Sequence, residues 1–475
     1  MGEGKRLLVN TGIFAIGGFA TKLVQFFLLP LYTSILSPAE YGTVDYLNTI
    51  ALFCVPVVSL LMDEALFRAL IDCSTDEERS RAMTSSCALM LIGSIVFAVG
   101  ALVFDAFFAF ENTLLVALLV FSGCALDMVS ALLRGFGDST GYALTNFAAS
   151  AVTVVLNVLF IAVFKWGVVG MLAATILSQG GVSLVVFLVR KIWKYLKIRY
   201  VDRSYMARLL KYSVPLIPNK VSWTIMNMSS RLIIMNVLGS VEAGLFAIAY
   251  KFPNIMDQVY GFFYMSWKES SARVLNSPED ENVFYNRVYR ALRRFMMGVV
   301  MVMTVLLPFV FILMIDDSYS TGILYVPVLL LATYYSNISG FYGGIFTAHK
   351  DTAIMGTTTI VSALICLGLN TLFIPQFGLY GASIATLVAT FTVNEYRRVK
   401  SHEYANLQED LVELVVTYAC LVAVFVCFYV YEYLSFVPVL LVGTVIALCY
   451  FFIENRKILS ACINFFRNKL SERRG

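Results

Sequence analysis

The sequence predicts an all-α polytopic membrane protein: about fourteen transmembrane helices, in two six-helix lobes related as parallel repeats, plus two C-terminal helices. Three observations predict it. Of the 475 residues, 59% are apolar and 14% charged, where an ordinary soluble domain carries about 25% charged residues. The apolar residues gather in runs of about twenty, the length that crosses the hydrocarbon core of a bilayer. The cations between those runs fall almost wholly on alternate loops. A soluble enzyme, a nucleic-acid binder and a disordered chain are excluded, because a soluble protein of this size could not hide so much apolar surface.

In chain order the candidate spans are 8–33, 43–68, 84–104, 114–133, 142–164 and 170–189, then 214–238, 243–266, 295–315, 323–346, 353–374 and 379–396, and last 411–431 and 436–453. With the N-terminus inside, 29 of the 35 Lys and Arg residues lie in cytoplasmic segments and one, Lys165, in an outer loop. One span too many or too few would invert this pattern, so both termini are expected in the cytoplasm. Lys5 and Arg6 resemble the start of a signal peptide, but the apolar stretch runs on through Lys22 to Thr33 without a small-residue cleavage site. The nine cysteines form no C-x-x-C pair and lie mostly in apolar runs, so they read as reduced and structural. His349 and His402 are too few and too scattered for a metal site.

The basic stretch 190–213 reads as a cytoplasmic linker between a first lobe, 1–189, and a second, 214–400; residues 401–475 add two spans and a tail. The lobes repeat. Leu36, Glu40 and Gly42 recur as Leu238, Glu242 and Gly244 at one offset of 202. Leu156, Asn157, Leu159, Phe160, Ile161 and Phe164 recur as Leu369, Asn370, Leu372, Phe373, Ile374 and Phe377 at an offset of 213. Past a two-residue gap, Gly167, Gly170 and Thr175 face Gly378, Gly381 and Thr386. Six spans separate the copies, so the repeats are parallel, and transporters commonly carry their substrate between such repeats.

Charges inside spans are costly and mark function or structural pairing. In span seven Lys220, Thr224, Asn227 and Arg231 lie at i, i+4, i+7 and i+11, one face of a helix. That stripe would line the bundle interior; alternatively Lys220 snorkels to the interface and Arg231 pairs with a structural carboxylate. Lys22 lies in the middle of span one, one turn from Gln25. Glu64 and Arg68 are i, i+4 partners at the end of span two, which leaves Asp63 as the unmatched acid. Lys251 precedes Pro253, which should kink span eight, and Asp257 lies further down the same span. Lys22, Arg68, Lys220, Arg231 and Lys251 are the candidate cations of a binding cavity. Gln25, Thr224 and Asn227 support them, and Asp63, Glu64 and Asp257 are candidate coupling acids. Asp127 and Arg134 share a face at i, i+7 and read as a structural pair, and Glu395 reads as interfacial. No nucleophile–base arrangement or phosphate-binding glycine loop is visible, so no enzyme is predicted.

Several stretches resemble one family. They are Leu28 to Tyr32, Ser37 to Gly42, Glu64 to Arg68, Tyr212 to Pro218, Ser230 with Arg231, Gly244 to Lys251, and Trp267. Together with the duplication they resemble the polysaccharide transporters, or oligosaccharide flippases, of the multidrug/oligosaccharidyl-lipid/polysaccharide (MOP) exporter superfamily, over residues 5–400. The resemblance implies a V of two lobes that alternates access, and a cargo of polyprenyl-diphosphate-linked oligosaccharide moved from the cytoplasmic to the outer leaflet. It further implies the bacterial inner membrane, no cofactor beyond a coupling H⁺ or Na⁺, a monomer among membrane lipids, glycan polymerase or assembly proteins as partners, and no nucleic acid. Cations suit a diphosphate. Two alternatives stand: a cation-coupled multidrug exporter of the same superfamily, which should present carboxylates to its drugs, and a flippase for the peptidoglycan precursor lipid II. The arginine-rich first span of lipid II flippases is matched here only by Lys22.

Overall fold

The computed structural model describes residues 26–275, 280–456 and 460, without the side chains of 219, 223, 226, 227, 352 and 353. Every regular element among them is helical, and the chain is a multi-pass membrane protein. Among the described residues ten helices are long and apolar enough to cross a membrane. The contacts form two compact units, Met1–Ala247 and Ile248–Gly475.

The first unit holds α1 (Leu29–Ile35), α2 (Pro38–Val58), α3 (Met62–Asp72), α4 (Asp76–Phe108), α5 (Thr113–Gly135), α6 (Ser139–Asn157), α7 (Gly167–Val189), α8 (Arg203–Ser213) and α9 (Ile217–Val237). Helix α10 (Ser240–Ala249) runs across the boundary. The second unit holds α11 (Lys251–Val274), α12 (Glu281–Met314), α13 (Val326–Ala348), α14 (Thr352–Ser401), α15 (Leu411–Leu434) and α16 (Val437–Glu454). Expected spans two to fourteen all fall on helices; most of span one lies outside the described residues. Spans eleven and twelve are the single element α14, broken at Gly378 (φ 59°, ψ −137°). Span seven is α9 and span eight falls on α10 and α11; α10 is too short, and polar residues keep α9 and α11 out of the ten. The compact units divide after Ala247, whereas the repeat divides at the linker, because α9 packs along α2.

The starts of the helices follow from local chemistry. Ser37 and Thr75 each form a capping box, with Glu40 and Glu78 respectively, and Pro38 opens α2. Asp202 caps α8, and hydrogen bonds from Ser204 and Tyr205 hold its carboxyl below the usual range. The linker is therefore folded: Leu209 of α8 and Ile192 pack into one core with Met62, Leu66 and Met83. On α4 the opposite situation holds. Leu91, Ile95, Val99 and Leu102 are exposed, a face that suits lipid.

Span two departs from the continuous helix expected over 43–68. Residues 59–61 interrupt it, with Leu60 (φ 53°) and Leu61 (φ 51°) both left-handed, a conformation that costs about 1–2 kcal/mol per non-glycine residue. Gly93 of α4 lets this break approach, since a Cβ there would lie 2.1 Å from the Val58 carbonyl oxygen.

The repeated residues carry equivalent structure in both halves. Gly167 (φ 54°) and Gly378 (φ 59°) are both left-handed, where a side chain is disfavoured. Cβ atoms at Gly170 and Gly381 would lie 3.3 and 2.2 Å from the carbonyl oxygens of Phe160 and Phe373, themselves repeat partners. Thr175 and Thr386 each donate to the carbonyl four residues back. The first repeated motif does something more: its two copies touch. A Cβ on Gly42 would fall 2.0 Å from the Ser240 carbonyl oxygen, and one on Gly244 would fall 1.9 Å from that of Pro38. Each copy's glycine thus receives the backbone of the other.

Candidate functional site

The break in span two builds the candidate site. Because α3 restarts at Met62, Asp63 stands in its first turn, where the exposed amides favour an anion. The side chain enters a cavity of about 370 Å³ in the first unit. Asp127 reaches the same cavity from α5, Asn48 and Ser59 from α2 and the break, Thr175 and Gln179 from α7, and Lys220 from the first turn of α9. Ser122 donates to Gln179 Oε1 at 3.0 Å and fixes that amide. Among the described residues neither Asp63 nor Asp127 forms a salt bridge. Two carboxylates, one ammonium and several neutral oxygens in one partly enclosed space can exchange a proton or hold a small cation, and Lys220 can meet an anion.

Arg231, expected among the cavity cations, pairs with Asp45 of α2 at 2.7 Å, with side-chain exposures of 14% and 13%. Its charge is matched, as the structural-pair alternative expected. Thr224 is buried and donates to the Lys220 carbonyl at 3.1 Å. Lys22, Gln25 and the Asn227 side chain lie outside the described residues. Arg68 does not pair with Glu64. It bonds Asp72 at 2.8 Å in an exposed i, i+4 pair, because the restart at Met62 makes both part of a short amphipathic helix. Arg68 lines a different, open cavity of about 520 Å³, with Arg81, Tyr205 and Arg208. Glu64 is exposed and does not line the Asp63 cavity.

The second unit receives the other two candidates. Lys251 is the first residue of α11, and Pro253 falls in its first turn, where a missing amide costs nothing. Asp257 faces Asn337 of α13. Nearby, Arg397 is 7% exposed. It donates to Thr358 Oγ1 at 2.7 and 3.0 Å and to the Ser339 carbonyl at 3.3 Å.

Asp45 and Arg397 are not legible in the sequence as intramembrane charges, and Asp127, an intramembrane charge, reads there as structural rather than as part of a site. Arg397 lies one residue beyond expected span twelve, 379–396, but α14 runs on to Ser401. The expected pair of Asp127 with Arg134 does not form among the described residues; Arg134 lies over the Phe67 ring at 4.1 Å and the Tyr142 ring at 5.7 Å. The available signal was the place of Asp127 within an apolar span with no basic residue at i±3 or i±4.

Residues 7–267 match the family model described as polysaccharide biosynthesis protein. No curated protein sequence matches. The fold is similar to that of the lipid II flippase MurJ in an inward closed conformation, with TM-score 0.68 and 15% identity over 94% of this chain and 99% of that one. An inward-facing multidrug resistance MATE family transporter of the MOP superfamily gives 0.65 and 17%, over 81% and 95%. A MOP superfamily transporter from Pyrococcus furiosus, described as having a binding pocket of reverse polarity, gives 0.55 and 17%, over 83% and 95%. At these identities the likeness shows the fold alone.

Proposed function

We propose, from the premise that the chain belongs to the polysaccharide biosynthesis protein family, that it is a flippase for a polyprenyl-diphosphate-linked oligosaccharide. The observation that carries this reading is the family match itself, which spans more than half of the chain. The cargo's diphosphate calls for cations, and Lys220 is the described cavity cation without a salt bridge among the described residues. Asp63 and Asp127 are read as the coupling pair: binding H⁺ or Na⁺ there would reduce the negative charge of the cavity and bias one conformation over the other.

The contact between the two repeated motifs fits alternating access. With the N-terminus inside, as the loop charges predict, Gly42 and Gly244 lie at the outer ends of α2 and α10. The Asp45–Arg231 pair joins α2 to α9, the helix that leads into α10. Opening toward the outside would separate both, so they are proposed as the outer closure.

One observation favours a second reading. The described cavity holds two acids and one base, and carboxylates suit a cationic drug as well as a coupling ion. A cation-coupled exporter is therefore the competing function. Depletion of the protein separates the two. Accumulation of a completed lipid-linked glycan on the cytoplasmic face, read with an impermeant sugar-modifying reagent, is expected of the flippase. Unchanged glycans with raised intracellular levels of cationic dyes would reverse the choice.

A further inference from the structure

The basic linker carries a surface that the transport reading does not use. Residues 190–201 follow directly on α7 and hold five cations, Arg190, Lys191, Lys194, Lys197 and Arg199, and no acid. Two short 3₁₀ turns, Ile192–Lys194 and Ile198–Tyr200, shape the stretch, and its inner side is fixed. Ile192 is buried, and Tyr195 and Leu196 pack beside it on the core of Met62, Leu66 and Met83. Thr84 of α4 donates to the Tyr195 carbonyl at 3.2 Å and accepts from the Lys197 amide at 3.2 Å. The Tyr195 ring lies 5.6 Å from that of Phe136.

With those side chains turned inward, the others point away from the protein. Lys191, Lys194, Lys197 and Arg199 are exposed. So are Trp193, Val201 and Ile198, the last at 90%. Arg190 pairs with Asp138. Arg199 donates to the Tyr200 hydroxyl at 2.7 Å, with Glu77 of α4 in electrostatic reach. The three lysines form no salt bridge among the described residues. Trp193 sets the level of this surface against the bilayer. Its ring lies 6.2 Å from that of Phe187 in the last turn of α7, where Leu188 and Val189 are exposed. Exposed apolar side chains at the end of a span face lipid, and a tryptophan beside them sits at headgroup level.

We infer that the 190–201 surface docks on anionic phospholipid headgroups of the leaflet in which α7 ends. The three lysines and Arg199 meet the headgroup phosphates, and Trp193, Ile198 and Val201 enter the apolar boundary beneath them. A cluster of cations directly after a span is the arrangement that an anionic leaflet attracts. A soluble acidic partner would meet the lysines and leave Ile198 in water. The inference needs neither the cargo nor the direction of transport proposed above.

The test uses the full-length protein in lipid nanodiscs, whose two leaflets share one composition. The fluorescence of Trp193 is taken as the difference between wild type and Trp193→Phe. Phosphatidylglycerol or phosphatidylcholine with brominated tails is included at equal mole fraction. Quenching by the brominated phosphatidylglycerol should be at least about twofold greater. That excess should vanish at high salt, which screens exposed charges, and in the triple variant Lys191→Gln, Lys194→Gln, Lys197→Gln. The salt arm uses no charge variant, so it carries the test should the triple variant fail to fold. Equal quenching by the two lipids would overturn the inference, as would an excess that survives either high salt or the triple variant. Quenching by neither lipid would overturn it too, and would assign the surface to a soluble acidic partner.

Discussion

Two charged sites, one in each compact unit, treat their charge in opposite ways. In the second, Arg293 and Arg294 share Glu413, Arg294 reaches Glu454 at 3.2 Å, and Glu409 lies between Arg293 and Arg398. Every member of that network has an opposite charge in contact. It fastens α15 and α16, the helices outside the repeat, to α12 and α14. In the first unit Asp63 and Asp127 share a cavity with Lys220 and pair with nothing among the described residues. A paired charge recovers part of its desolvation cost locally. An unpaired one must be served by water, an ion or a ligand. Burial alone therefore says little about purpose; what separates the two sites is whether the counter-charge is built in.

The largest effect should come from the unpaired acids. Asp63→Asn with Asp127→Asn should reduce transport about 100-fold, the scale of coupling between two ligand sites, while the melting temperature stays near wild type. Transport in proteoliposomes beside thermal melting checks this, and normal transport would erase the distinction between the two sites. Glu413→Gln should do the reverse. It removes the acid that two arginines share, leaving Arg293 with Glu409 and Arg294 with Glu454, and should cost about 2 kcal/mol of stability, seen as early thermal unfolding with transport per folded molecule retained. Gly244→Ala introduces a Cβ that meets the Pro38 carbonyl. An overpacked contact costs about 1–3 kcal/mol, and the accessibility of cysteines introduced at the outer ends of α2 and α10 should rise if the motif contact is a closure. The smallest effect belongs to Arg68→Ala. Its pair with Asp72 is exposed, so stability should move by less than about 0.5 kcal/mol, and transport should be unchanged; a large loss of transport would return Arg68 to the cavity.

How far the residues could be read in advance depended on the range of the interaction. The runs of twenty apolar residues are local, and they located every described span. The repeated glycines were legible because a left-handed φ or a close backbone approach tolerates almost nothing else, and both copies keep that requirement. Asp63 stood out because Glu64 and Arg68 looked paired beside it, although the pair proved to be Arg68 with Asp72. Asp45 and Asp127 were not separable from structural acids, since their partners or cavity lie on other helices far along the chain.

The sequence by itself determined that this is a duplicated, all-helical membrane protein, because hydropathy, loop charge and glycine spacing are properties of short stretches. Only the tertiary structure decided that span two breaks at Leu60 and Leu61, that the two copies of the glycine motif meet, and that Arg231 is neutralised while Asp63 and Asp127 share a cavity. Helical periodicity gives the face on which a charge sits; what stands opposite that face is set by the packing of distant helices.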